Sequence, residues 1–374
     1  MNSNDILQMR RNAAEAYMRK ITEPLWRAGE DILCTQEKDT PPEKAKSAFA
    51  IKAGRVYRGV LYSYAGGTAE SFFAYADETD EKGIPVIRGL RWDAVSGGSV
   101  SARVGTDCSG SVVRSWAAAG ADVPLVSTLL MCPDNGFLHV GEFSASSDHV
   151  SSEEIRANAP EVMYDAYALL QKADTVVCRK NASGHTRLVI GVHVVHNADG
   201  SIDPAASYAE TLEQTRGFIR REHKSFDEKL GEDVYDICGN VKYTFANLYE
   251  TGYMPITCRA FTDPAPIPAP AVTDTLDTYD GASLFAGEIR ANRLIDAVIM
   301  TISDEAGNQL CRMAVPAMRN RKSFDMQLFP TEKRSCVIGS VDADALPSGR
   351  YHCRLVCRLS GDINLTVRDF DFVK

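Results

Sequence analysis

Gly105-Thr106-Asp107-Cys108-Ser109-Gly110-Ser111-Val112-Val113-Arg114-Ser115-Trp116 is the most informative stretch of the chain. Small polar residues precede Cys108, and Val112, Val113 and Trp116 follow it at helical spacing. That pattern predicts a helix opening at or beside Cys108, with Asp107 or Ser109 as its cap. The free N–H groups and positive dipole end of such a helix favour a thiolate at Cys108. The same N–H groups would bind the oxyanion of a tetrahedral intermediate. Gly110 is expected to leave room for a substrate to reach the sulfur. On this physics alone two readings stay open, an activated nucleophile or a buried cysteine at a helix start.

Outward from this stretch, three segments matter. Upstream lies Gly59-Val60-Leu61-Tyr62-Ser63-Tyr64-Ala65-Gly66-Gly67. Downstream lie Ala173-Asp174-Thr175-Val176 and Gly184-His185-Thr186-Arg187-Leu188-Val189-Ile190-Gly191, both strand-like. Asp-Cys-Ser-Gly opening a helix resembles the NlpC-type cell-wall cysteine peptidases, a branch of the papain-like superfamily. The upstream segment resembles that family's Gly-x-Pro-Tyr-x-x-Gly-Gly, with Leu61 for proline and one extra residue. The downstream pair resembles its Gly-Asp-Leu-Val strand and its histidine strand. The resemblance covers roughly residues 50–220.

The resemblance implies a nucleophile, Cys108, and a base, His185, cutting an amide through a thioester without metal or cofactor. Tyr62 matches the family tyrosine that lines the site, and Asp107 and Ser109 flank the sulfur as further substrate contacts. A third polar group should orient the imidazole from the next strand, expected at Ala209 to Thr215. Glu213 best occupies that place. Gln214 on the opposite face and His196, at a family-like distance from His185, stay open. Other histidines fit less well: His139 and His149 precede Asp174, His193 lies well along the strand, His223 sits among charges, and His352 is near the C-terminus.

The implied substrates are peptidoglycan stem peptides, often cut between γ-D-glutamyl and a diamino acid. Two other readings stay open. An acyltransferase or lipid-directed hydrolase with the same Cys–His pair predicts a deep apolar groove beside Cys108. A degenerate binding protein predicts Cys108 and His185 out of mutual reach. The implied location is extracytoplasmic, in the envelope or secreted. Met1 to Lys20 lacks a continuous apolar core and reads as an amphipathic helix capped by Asn4 or Asp5, not a signal peptide, which leaves the cytosol open.

Composition bounds the rest. The 374 residues suggest two domains, and 44% hydrophobic with 24% charged residues is ordinary for a packed core. A net charge of −9 leaves no basic footprint for nucleic acid. No apolar run approaches a membrane span. The ten cysteines include no Cys-x-x-Cys pair, which argues against zinc, and most are expected to be buried thiols. Oligomeric state is not legible.

The fold class expected is α+β, a papain-like hydrolase domain over 1–261 followed by an all-β, immunoglobulin-like sandwich over 274–374. Between them Thr262 to Val272, reading TDPAPIPAPAV, is expected as a semi-rigid spacer within 262–273. Residues 71–104 are an insertion relative to the family. Helices are expected at 4–33, 109–119, 151–171 and roughly 208–230, and strands at 55–64, 174–179, 185–195 and 240–249. In the last hundred residues, Tyr351, Cys353, Leu355, Cys357 and Leu359 alternate with polar neighbours, as half-buried strands do. A bulge is expected near Arg368-Asp369, where Phe370 and Phe372 fall out of register.

Overall fold

Asn2, not Asn4 or Asp5, caps the first helix. Its side chain accepts from the Asp5 N–H at 2.9 Å, and the Asp5 carboxylate accepts from the Asn2 N–H at 3.1 Å, a capping box. The helix runs Ser3–Thr22 and stops before Pro24, so the helical stretch expected to residue 33 is cut short. Leu25–Ala28 is a strand instead. Ala14, Tyr17, Met18 and Ile21 bury one helix face.

These features belong to a computed structural model describing residues 2–34, 49–62, 68–73, 76–88, 105–181, 183–215, 217–276, 288–316, 323–325 and 346–374. Positions 63–67, with the paired glycines of the upstream segment, and 89–104, the second half of the expected insertion, lie outside the described residues. The chain is mixed α+β, with most of its regular structure in sheets.

One six-stranded antiparallel sheet positions the site. Its order is Cys238–Thr244, Tyr208–Gln214, Ser183–His193, Thr175–Lys180, Met254–Cys258, Phe137–His139. The helix Cys108–Ala118 lies against the Ser183–His193 strand and the N-terminal helix. Trp116 donates its indole N–H to the Ala173 carbonyl at 2.7 Å, tying helix to sheet. A second six-stranded sheet, of mixed direction, contains Leu25–Ala28, Val56–Arg58 and Glu232–Asp236.

Three expected elements differ in the structure. The helix expected at 208–230 is the strand Tyr208–Gln214, a short helix Gly217–Arg220 and the strand Lys224–Asp227. Thr211 to Gln214 are buried on both faces, so the strand shows no period of two to read. The strand expected at 240–249 ends at Thr244, whose hydroxyl caps the helix Phe245–Thr251. Pro160 divides the 151–171 stretch into Ser152–Ala157 and Pro160–Ala168.

The C-terminal part has a four-stranded sheet, Gln309–Pro316, Ile295–Asp304, Arg350–Leu359, Ile363–Val373, and a three-stranded sheet, Val272–Asp274, Glu288–Ala291, Ser323–Asp325. Ile289 of the smaller sheet shares one apolar cluster with Val298, Met300, Cys353 and Leu355 of the larger. The register shift places the extra residue at Val367, just before the pair where the bulge was expected.

Asp296 joins the C-terminal strands to the rest. It is buried, ion-paired with Arg114, and accepts from Tyr17 at 3.1 Å and Ser360 at 2.7 Å. Arg114 lies on the Cys108 helix. The segment after residue 261 is also held down: the Arg10 guanidinium donates to the carbonyls of Ala260, Asp263 and Ala265. No helix among the described residues is long and apolar enough to cross a membrane.

Candidate active site

Asp107 is the N-cap of the Cys108–Ala118 helix. Its backbone is extended, and one carboxylate oxygen accepts from the Gly110 N–H at 2.5 Å and the Ser109 hydroxyl at 3.1 Å. Cys108 is therefore the first helical residue. Gly110 does not make room for substrate as expected. A Cβ there would lie 2.9 Å from the Asp107 carboxylate and 3.0 Å from the Thr106 hydroxyl, so the glycine makes room for the cap.

The cysteine is 95% buried by its 5% exposure, and the Tyr62 hydroxyl lies 3.9 Å from its sulfur. The thiolate expected at rest is not what these surroundings favour. Burial pushes the thiol up to about 12, and the Asp107 charge adds to the rise. The Tyr62 hydroxyl and the backbone amides of Thr186 and Ser109 act in the opposite sense and are outweighed. The helix start is present, but burial and a nearby carboxylate outweigh it.

His185 stands on the neighbouring strand, opposite Cys178 in the register. Its Nε2 lies 2.8 Å from Glu213 Oε2. With Nε2–H donated to the carboxylate, Nδ1 carries the lone pair and is the basic nitrogen. Burial lowers the affinity of His185 for a proton, the Arg187 charge lowers it further, and the Glu213 hydrogen bond resists. The net shift is downward, so the resting imidazole is neutral at pH 7. For Glu213, burial works upward, but the His185 hydrogen bond and the Arg187 charge hold the carboxyl below its ordinary range.

Cys108, His185 and Tyr62 line one pocket of about 710 Å³, with Asp107 and Ser109 in its wall. The Thr186 amide, one residue past His185, is a backbone donor beside the sulfur together with the Ser109 amide. Gly184 lets the opposite wall close in. A Cβ there would lie 2.0 Å from the Thr128 hydroxyl, which lines the same pocket.

Of the three candidates for the orienting group, the structure brings Glu213 to His185. Gln214 faces the other way, donates to the Val60 carbonyl and accepts from the Cys238 thiol at 3.5 Å. His196 bridges to Ile202 beyond the end of the strand, and His193 stacks on Tyr208 about 26 Å from His185 at the strand rise per residue. Asp174 pairs with Arg11 at 2.8 Å, both buried, and serves the joint between sheet and first helix.

Arg187 is the residue that sequence reasoning missed. Its Nε lies 2.5 Å from the same Glu213 oxygen that meets His185, and its guanidinium stacks over Tyr243 and Tyr253. The signal was available, since a residue two past His185 on a strand shares its face. Among the described residues no cluster of three or more His, Cys, Asp or Glu is placed to hold a metal ion.

No protein-family model matches the chain, and no curated protein matches it. Among solved structures, wild-type OgpA from Akkermansia muciniphila aligns over 31% of this chain and 32% of its own, at 15% identity and a TM-score of 0.22. A likeness at that score carries no argument about fold or function.

Proposed function

We propose that the chain is a cysteine peptidase of NlpC type that cuts amide bonds in peptidoglycan stem peptides through a thioester. The observation that carries this reading is a Glu213–His185 pair whose imidazole lines the same pocket as Cys108. The imidazole is fixed through Nε2, which leaves Nδ1 as the base in a pocket shared with a thiol at a helix start.

The resting pair is a neutral thiol and a neutral imidazole. His185 Nδ1 takes the thiol proton as Cys108 Sγ bonds to the scissile carbonyl carbon. The Cys108 N–H, which has no intrahelical acceptor at the first helical position, stabilises the oxyanion. Collapse expels the amine, which takes the proton from His185 and leaves a thioester. Water, deprotonated by His185, then releases the acid and restores the thiol. Glu213 stays ionised and stabilises the imidazolium formed in each half.

In this reading the helix–sheet body is a papain-like domain, supported by a cysteine helix lying on an antiparallel sheet that carries the histidine. The two C-terminal sheets that share a core are an immunoglobulin-like sandwich. The substrate places the protein outside the cytoplasm. The pocket wall includes Ser109, Ser127, Thr128, Asn181 and Ser183. Their hydroxyl and amide groups can hydrogen-bond a peptide backbone, which the acyl chain of a lipid-directed relative cannot use.

Incubation with defined muropeptides, followed by chromatography of the products, tests the proposal. Wild-type protein should release the stem-peptide fragments, and Cys108→Ala should not. Cleavage that survives the substitution would overturn the mechanism. Intact muropeptides beside a consumed fatty-acyl ester would overturn the substrate class.

A further inference from the structure

The carboxylate behind His185 is shared, and two residues set how it is shared. His185 Nε2 lies 2.8 Å and Arg187 Nε 2.5 Å from the same oxygen, Glu213 Oε2. The sheet brings these groups together. Arg187 is two residues past His185 and shares its face. The register that pairs Leu212 with Leu188, carried one step further, sets Glu213 opposite Arg187. An arginine so close to a glutamate frequently takes both carboxylate oxygens in a fork. Arg27 does so in this chain, where its Nη1 and Nη2 donate to the two oxygens of Glu232 at 2.9 and 2.7 Å.

Arg187 makes no such fork. Its Nη2 donates to the Tyr243 hydroxyl at 3.0 Å, and its Nη1 is buried with no hydrogen-bond partner among the described residues. The guanidinium carbon lies 4.1 Å from the centre of the Tyr243 ring and 4.8 Å from that of Tyr253. Stacking on both rings fixes the guanidinium plane. Tyr243 comes from the strand Cys238–Thr244, on the face of Gly239, which is the residue paired with Glu213. Nε is the edge turned to the carboxylate, and Oε2 keeps a lone pair for His185. Leaving Nη1 unmatched costs free energy, and a buried ion pair gains little over aliphatic packing. An arginine present for stability alone would gain more from the fork that Arg27 makes.

We infer that Arg187 and Tyr243 are positioning residues: Tyr243 holds the guanidinium out of a fork, so that Glu213 fixes His185 through Nε2 and leaves Nδ1 free as the base. The inference rests on the peptidase reading for what the base does, while the arrangement itself belongs to the resting protein. Without the Tyr243 hydroxyl, Nη2 is released, the guanidinium closes on both Glu213 oxygens, and the imidazole loses its fixed tautomer.

NMR of the intact protein with isotope-labelled histidine ring nitrogens reads the tautomer directly, and His185→Gln identifies the His185 signals. In wild type the neutral ring should show a protonated Nε2 and an unprotonated Nδ1. Tyr243→Phe keeps the stacked ring and removes a single oxygen. Its His185 signals should move to a mixture of the two tautomers. Its kcat on muropeptides should fall about tenfold, the worth of one hydrogen bond to a charged group, with KM unchanged. Arg187→Lys should do the same, because an ammonium keeps the charge without the planar donor edge and the stack. A role in stability alone would lower the unfolding temperature of both variants and leave tautomer and kcat as they are.

Wild-type signals and kcat in Tyr243→Phe, or full activity in Arg187→Lys, would overturn the inference. A fall in kcat with the tautomer unchanged would overturn it as well. If wild type cleaves no muropeptide while the tautomer responds as expected, the peptidase reading falls and the positioning stands. If wild type cleaves and neither variant changes tautomer or kcat, the positioning falls and the peptidase reading stands.

Discussion

The sheet that carries His185 and the four-stranded sheet near the C-terminus treat their interiors differently. In the C-terminal sheet Tyr351, Cys353, Leu355, Cys357 and Leu359 are buried in alternation, facing Val298, Met300 and Ile302. In the histidine sheet Thr175, Thr186, Arg187, Thr211, Glu213 and Gln214 are all buried. Burying polar groups gains nothing over aliphatic packing and costs free energy wherever a partner is missing. The first sheet therefore reads as built for stability alone. The second carries a polar interior of which Glu213 and Arg187 meet beside one imidazole, and that contrast marks the candidate site.

The largest effects should separate the two sheets by kind. Cys108→Ala or His185→Gln should lower peptide hydrolysis by at least about 10⁴-fold, as loss of a nucleophile or its base does. Thermal unfolding should be little changed. Product chromatography and circular dichroism on the same samples check both halves. Leu355→Ala should do the reverse. It should cost about 2–5 kcal/mol in denaturant unfolding, the range for a buried leucine truncation, and leave turnover intact below the transition. A large activity loss in folded Leu355→Ala protein would break the comparison.

A finer test lies inside the polar interior. Glu213→Gln should reduce kcat about a hundredfold, within the range for acid–base support, and move the pH profile. Activity needs neutral His185, so it is lost as pH falls through the His185 pKa, which already lies below 6.5. Glu213 raises that value, so removing its charge moves the acid limb lower. Arg187 depresses it, so Arg187→Gln should move the limb higher. Limbs that move the same way in both variants would sink the assigned electrostatics. Stability carries its own sign. The Glu213 pKa is depressed on folding, so its contribution is full above pH 4.5 and lost as pH falls through the lower folded value. The acid unfolding of Glu213→Gln protein should be correspondingly less steep.

Which parts were legible in the sequence follows the same division. Cys108 and His185 could be read because each sits in a short local pattern, a capped helix start and the first residues of a strand. Glu213 could be named by counting along the next strand, although the strand itself, buried on both faces, looked helical. Arg187 gave no comparable signal, because its partner Glu213 lies on the next strand. The protonation state of Cys108 was not legible at all, since burial is a property of the assembled fold. Asp296 was a missed signal of another kind. A lone acid between Ile295 and Ala297, in an apolar run, demands a buried partner, and Arg114 on the cysteine helix is that partner. The C-terminal strands are thus tied to the helix that carries Cys108.

The smallest test concerns backbone conformation at the edge of each sheet. At the turn joining Arg350–Leu359 to Ile363–Val373, Gly361 and Asp362 hold φ of 92° and 61°, a conformation that glycine and aspartate accept readily. Where the histidine sheet begins, Ala173 holds φ of 68°, at the place where the resembled family has glycine. Its N–H donates to the Val189 carbonyl and its carbonyl accepts from Trp116, so the geometry is fixed from both sides. Relieving the left-handed strain of an alanine returns about 1–2 kcal/mol. Losing a buried methyl costs about 0.8 kcal/mol, and the freedom of glycine in the unfolded chain costs about 0.5–1 kcal/mol. These terms nearly cancel, so Ala173→Gly should change unfolding free energy by less than about 0.5 kcal/mol in denaturant titration. Gly361→Ala should cost more, about 1–2 kcal/mol, because its Cβ would also press within 3.1 Å of the Ala118 carbonyl. A strongly stabilising Ala173→Gly would mean that the alanine is kept at a real cost, and that the strain beside Asp174 serves the site rather than the fold.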